Sequence, residues 1–199
     1  MRGGVRAIGG NGVALSSKGA GGVEGVSWCG WVPVVLMVLA WLGAPALAQT
    51  MVQGKGRYTG LPIPRFASLR SDRVNLRVGP GGRYPIKWEL HRRGLPVEIV
   101  QEYGVWRAVR LHDGADGWIH AALLSGHRTF IVEGATRPLE ERASSTASLV
   151  ARLEAGVIGR ILGCAEGSLW CRVSVHGHRG YLRRNDFWGT FKGEAVHEW

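Results

Sequence analysis

Apolar and polar positions alternate in short runs along most of the chain after residue 72, and no run keeps a helical period. Residues 73–78 (RVNLRV) alternate and then meet Gly79-Pro80-Gly81-Gly82, which forces a turn. Residues 87–91 (KWELH) lead into Arg92-Arg93-Gly94, and residues 95–101 (LPVEIVQ) form a second alternating strand that ends near Gly104. Residues 105–111 (VWRAVRL) predict a third strand. One of its faces carries Trp106, Ala108 and Arg110, the other Val105, Arg107, Val109 and Leu111. Neither face is cleanly apolar, so alternation alone does not say which points inward. A turn at 112–117 precedes Trp118-Ile119-His120, and residues 121–124 (AALL) fit one helical turn before Ser125-Gly126. Short strands punctuated by turn residues predict a small all-β barrel or sandwich.

The pattern then repeats. Leu76 corresponds to Leu139, Gly94 to Gly156, Trp106 to Trp170, Trp118 to Tyr181 and Gly126 to Gly189. The four intervals are 18, 12, 12 and 8 residues in the first copy and 17, 14, 11 and 8 in the second. Agreement over four consecutive intervals sets the architecture as a tandem repeat. Module 1 is assigned to 68–127 and module 2 to 133–192, each of a size at which one core is marginally stable. Residues 49–67 (QTMVQGKGRYTGLPIPRFA) are rich in glycine and proline without periodicity, and are expected to form a linker.

Residues 1–48 follow other rules. Residues 31–42 (WVPVVLMVLAWL) carry no charge, follow a basic leader and run into Ala46-Leu47-Ala48 and then Gln49. Basic leader, short apolar core and small-residue site are the parts of a cleavable secretory signal with an extended leader. The apolar core falls short of the roughly 20 residues that span a bilayer; the alternative is an uncleaved anchor, the one route to membrane contact foreseen here. The expected location is therefore the periplasm or the exterior. In that oxidising setting Cys164 and Cys171, close in sequence and even in number, predict a disulfide, with a pair of reduced, partly buried thiols as the alternative. Cys29 precedes the apolar core with no lipid-attachment pattern.

The whole chain has 25 basic and 15 acidic residues. Without Arg2, Arg6, Lys18 and Glu24, which precede residue 49, it keeps 22 and 14, a net charge of +8. Such a charge favours acidic partners: nucleic acid, anionic headgroups or anionic envelope polymers. Export argues against nucleic acid. No nucleophile elbow, zinc-protease helix or phosphate-cradling loop occurs in the sequence, so no enzyme activity, metal or cofactor is expected. His176-Gly177-His178 reads as a polar hairpin tip, and two cysteines are too few for a structural zinc site.

The first module resembles the bacterial SH3-like domains of exported proteins. The resemblance rests on Val74-Asn75-Leu76-Arg77-Val78-Gly79-Pro80-Gly81, then Gly94-Leu95-Pro96-Val97, Trp106-Arg107 and Gly117-Trp118-Ile119. The second copy lacks the asparagine and the Gly-Pro turn but keeps Trp170-Cys171-Arg172-Val173 and Gly180-Tyr181-Leu182, which marks it as diverged. The resemblance implies two tandem SH3-like barrels of five or six strands without catalysis, which bind cell-wall components such as peptidoglycan, or envelope proteins. A protein–protein adaptor that captures an extended peptide is the competing expectation. Candidate ligand-binding residues are Arg77, Tyr84, Trp88, Trp106, Trp118, Trp170 and Tyr181. Each aromatic fits either core filling or ligand contact, with Arg83, Arg92 and Arg93 as flanking cations.

Overall fold

A computed structural model describes residues 54–197. The chain divides into two units, Met1–Ala48 and Gln49–Trp199, and every described residue belongs to the second. The expected export signal lies outside the described residues.

A short hairpin opens the described chain, with β1 (Gly54–Lys55) paired to β2 (Pro62–Ile63). Seven strands follow: β3 (Arg65–Leu69), β4 (Val74–Arg77), β5 (Ile86–Leu90), β6 (Pro96–Tyr103), β7 (Trp106–Arg110), β8 (Asp116–His120) and, after a 3-10 turn at Ala121–Leu123, β9 (Leu124–Ser125). The second set is β10 (Thr129–Val132), β11 (Arg137–Glu140), β12 (Leu149–Leu153), β13 (Ile158–Cys164), β14 (Trp170–Val175) and β15 (His178–Arg183). A 3-10 turn at Arg184–Asp186 then leads to β16 (Phe187–Trp188). The sheets run β5-β4-β8-β7-β6-β3-β9 and β12-β11-β15-β14-β13-β10-β16, the same order strand for strand. Two barrel-like all-β modules in tandem are therefore present, as the repeat predicts.

Glycine explains why the repeat is legible. Gly94 and Gly156 both have left-handed backbones, with φ of 76° and 81°, which side chains rarely adopt. Gly117 lies against β4: an added Cβ would meet Leu76 Cγ at 2.7 Å and Arg77 O at 2.8 Å. Gly180 repeats this against Leu139 Cγ at 2.8 Å and Glu140 O at 2.6 Å. The glycine before each aromatic is thus required by a close strand crossing.

Two strands depart from simple alternation because both of their faces are covered. On β3, Ala67 and Leu69 enter the core of the first module, while the Phe66 ring meets Trp188 and Phe191 at centroid distances of 4.8 and 4.7 Å. On β10, Phe130 and Val132 enter the second core, while Ile131 joins the first. Arg92 Nη2 adds a hydrogen bond to Gly156 O at 2.8 Å. The joint between the two cores is therefore packed with apolar side chains. Strands extend past two of the expected boundaries. The expected linker at 49–67 holds β1, β2 and the start of β3 from Gly54 onward, and the second module's sheet starts at Thr129 rather than 133. Strands buried on both faces show no period-2 signal, and Pro64 disguises the entry to β3.

Cys164 and Cys171 face each other directly across β13 and β14 and form the expected disulfide, with Cα atoms 4.4 Å apart. Cys164 also pairs with Val196, which carries the C-terminal segment back onto the second core. Closing so short a loop contributes about 2.5 kcal/mol through lost entropy of the unfolded chain. Replacing both cysteines by serine is expected to lower the urea midpoint accordingly. Identical midpoints for the two proteins would refute that share.

Candidate ligand-binding site

The ambiguous strand β7 resolves once its neighbours are in place. Val109 points inward, followed by Leu111, and Arg107 goes with them because Glu102 waits on β6. Trp106, Ala108 and Arg110 therefore face outward. On β8, Ile119 is buried and Trp118 and His120 face outward. The register sets two rows across the outer surface. Trp118 lies opposite Ala108 on one side and Arg77 on the other. Trp106 lies opposite His120 and Tyr103, its ring edge-on to the imidazole at 5.3 Å. Tyr103 continues this row to Tyr58 at 6.4 Å.

Beside Trp118 opens a shallow cleft of about 230 Å³, with Val78, Lys87, Val100 and Ala108 among its walls. The Lys87 ammonium meets the Asp116 carboxylate across its rim at 2.8 Å. That hydrogen bond and charge hold the Asp116 carboxyl below its ordinary range. Arg77 Nη1 donates to Tyr84 O at 2.7 Å, so its guanidinium is braced against the turn. The Tyr84 ring packs over Gly79 and Gly81, with the Arg83 guanidinium 5.5 Å from its centroid. Tyr84 thus fills a turn behind the surface. Trp88 is exposed on edge strand β5, opposite Leu76, and stands apart from both rows.

The second module repeats the rows with different chemistry. Trp170 lies opposite Arg183, whose guanidinium covers its ring at 5.1 Å. Tyr181 lies between Arg172 and the buried Glu140. Where the first module presents Ala108 and Arg77, the second has Arg172 and Glu140. The structure thus brings Arg77, Trp106 and Trp118 onto one surface, and Trp170 with Tyr181 onto the equivalent surface of the other module. Arg92 is occupied in the joint rather than at the outer face.

A larger space escaped the sequence reading. At the joint lies a groove of about 760 Å³, lined by Leu61, Arg65, Phe66, Arg107, Arg128 and Phe191 among others. Arg65 and Phe66 fell in the expected linker, and Arg128 between the modules. The hydrophobic Phe66 beside Arg65, just after Pro64, was the available signal. Among the described residues no three His, Cys, Asp or Glu side chains gather as metal ligands. His176, at φ 48°, and Gly177, at φ 87°, form the tip of the β14–β15 hairpin.

The family described as bacterial SH3 domain matches residues 70–126 and again residues 134–189, more than half of the chain. The chain belongs to the bacterial SH3 domain family. Each match starts after the first strand of its sheet, so β3 and β10 precede the matched part of each bacterial SH3 domain. Among solved structures, the chain is similar to NlpC2 from Trichomonas vaginalis, at 14% identity and a TM-score of 0.30, over 64% of this chain and 48% of that one. It is similar to NlpC1 from Trichomonas vaginalis at 15% identity and a TM-score of 0.30, over 68% and 49%. It thus spans about half the length of each. No curated protein matches it.

Proposed function

We propose that the protein is an exported, non-enzymatic wall-binding protein, which recognises peptidoglycan through the outer surface of its first bacterial SH3 domain. The observation that carries this reading is the outward orientation of Trp106 and Trp118. Both lie on the solvent side of the sheet, Trp118 beside a cleft edged by Lys87 and with Arg77 at the end of its row. Flat aromatic faces offer apolar area to sugar rings at low entropic cost, while cationic side chains meet the carboxylates of a sugar–peptide polymer. The net charge of +8 for residues 49–199 brings the protein to such a polymer, and the aromatic rows give contacts that salt does not screen.

The test is co-sedimentation of the Gln49–Trp199 unit with purified peptidoglycan across a salt series. Binding is expected to survive moderate salt, and Trp118→Ala is expected to weaken it about tenfold, or ~1.4 kcal/mol. Circular dichroism should show the variant folded, because Trp118 lies outside both core clusters. Binding that vanishes at modest salt, or that ignores Trp118→Ala, would reduce the interaction to a basic protein on an anionic polymer. The competing reading, capture of an extended peptide, finds its support at a different surface.

A further inference from the structure

We propose that the groove at the joint of the two modules is a second binding site, which takes an extended segment of a partner protein bearing alternate apolar and acidic side chains as an added strand on the open edge of β3. The backbone register carries the argument. Leu69 N–H donates to Leu95 O at 3.0 Å, so residue 69 bonds toward β6, and Ala67 and Arg65 follow it by the two-residue alternation of an antiparallel ladder. Pro96, opposite Ser68, has no N–H to give, which agrees with Ser68 bonding the other way. Phe66 and Ser68 therefore turn their N–H and C=O groups away from β6. Ser68 meets Ser125 on β9 there, but β9 ends at Ser125. The chain then leaves the ladder, with Ser68 Oγ–H donating to His127 O at 2.9 Å. Among the described residues no strand covers Arg65–Ala67 on that side, and the groove lies against those same residues.

An unpaired strand edge inside a groove is a template for an incoming strand, whose backbone supplies affinity and whose alternate side chains supply choice. One set of side chains would meet apolar walls that include Leu61, Pro64, Leu124 and Phe191. The charge around the groove selects the other set: Arg65, Arg107 and Arg128 outnumber Glu194 of the lining and the buried Glu102 behind it by three to two. Each guanidinium is braced by the protein, Arg65 on Glu102 at 2.8 Å, Arg107 on Gly104 O at 2.8 Å and Arg128 on Glu194 at 2.7 Å. The attraction for acidic side chains is therefore one of field, and it weakens with salt.

The probe is a capped seven-residue peptide of alternating valine and glutamate, titrated into the 15N-labelled Gln49–Trp199 unit at low salt. Saturable shifts are expected at the Phe66 and Ala67 amides and across residues 125–128, half complete below roughly 1 mM. Methylating every second peptide nitrogen, or replacing glutamate by lysine, should weaken binding at least about tenfold. Leu61→Asp, at a half-exposed rim position, should do the same with the fold intact, and Trp118→Ala should change nothing. Absence of saturable shifts, or equal binding of the methylated peptide, would overturn the proposal. Shifts that appear with protein concentration alone would assign the edge to a second copy of this chain and overturn it as well.

Discussion

Phe66→Ala is expected to destabilise the protein by about 3–5 kcal/mol, and to loosen both modules together. Phe66 is buried on β3, yet its ring leaves its own module and meets Trp188 edge-on and Phe191 at a tilt. The Arg128 guanidinium covers it at 5.6 Å. Trp188 in turn packs against the first core, which also holds Ile131 of β10 and contacts Ile158. Removing the ring opens a void where four elements converge, and none can close it without shifting a strand that serves the other module. Unfolding of the wild type should therefore be one cooperative transition, followed in urea by tryptophan fluorescence and by circular dichroism. Phe66→Leu, which keeps most of the apolar volume, should lose far less. Two separated transitions in the wild type, or a loss below about 1 kcal/mol for Phe66→Ala, would show that the modules are independent.

That joint marks where the sequence stops being legible. Strands with one face in a core and one in water, such as β4 with Val74 and Leu76 buried between half-exposed neighbours, announce themselves by alternation. β3 and β10 have apolar neighbours on both faces, and the residues that cover their second face belong to the other module, as with Phe66 and Trp188 or with Ile131 in the first core. No local pattern carries that. The repeat was legible for another reason: Gly94, Gly117, Gly156 and Gly180 answer to backbone geometry inside each module, which divergence of the surface leaves alone. The outward aromatics fall between these cases. Trp106 is half-buried and shares its face with Ala108 and Arg110, while the buried face carries Arg107. Hydropathy cannot rank two faces that each hold an arginine. The tie breaks only with the partner of Arg107, and that partner sits on another strand.

That partner, Glu102, sets the protein's expected response to acid. Its carboxylate is buried on β6 and accepts hydrogen bonds from the Thr59 hydroxyl at 2.6 Å, from the N–H groups of Tyr58 and Thr59, and from Arg65 Nη2 at 2.8 Å. Arg107 Nε stands 3.5 Å away. Burial by itself would raise the pKa, but the bonds from Thr59, Arg65 and Tyr58 outweigh it and lower the value from 4.5 to about 2. A carboxyl whose pKa is depressed in the folded state stabilises that state fully above its unfolded pKa. It gives up the contribution as pH falls toward the folded value. The window for Glu102 therefore runs from about pH 4.5 down to about 2, and the contribution at stake is about 3 kcal/mol. Because the same carboxylate pins residues 58–59 of the β1–β2 loop and both arginines, protonation should release that loop first and expose one end of the joint groove. Urea titrations of the wild type and Glu102→Gln at a series of pH values check this. The variant should be weaker by about 3 kcal/mol at neutral pH, with the gap closing almost completely by pH 2. A gap that stays constant over that range would mean that Glu102 acts through shape alone, and that its charge contributes nothing to holding the loop in place.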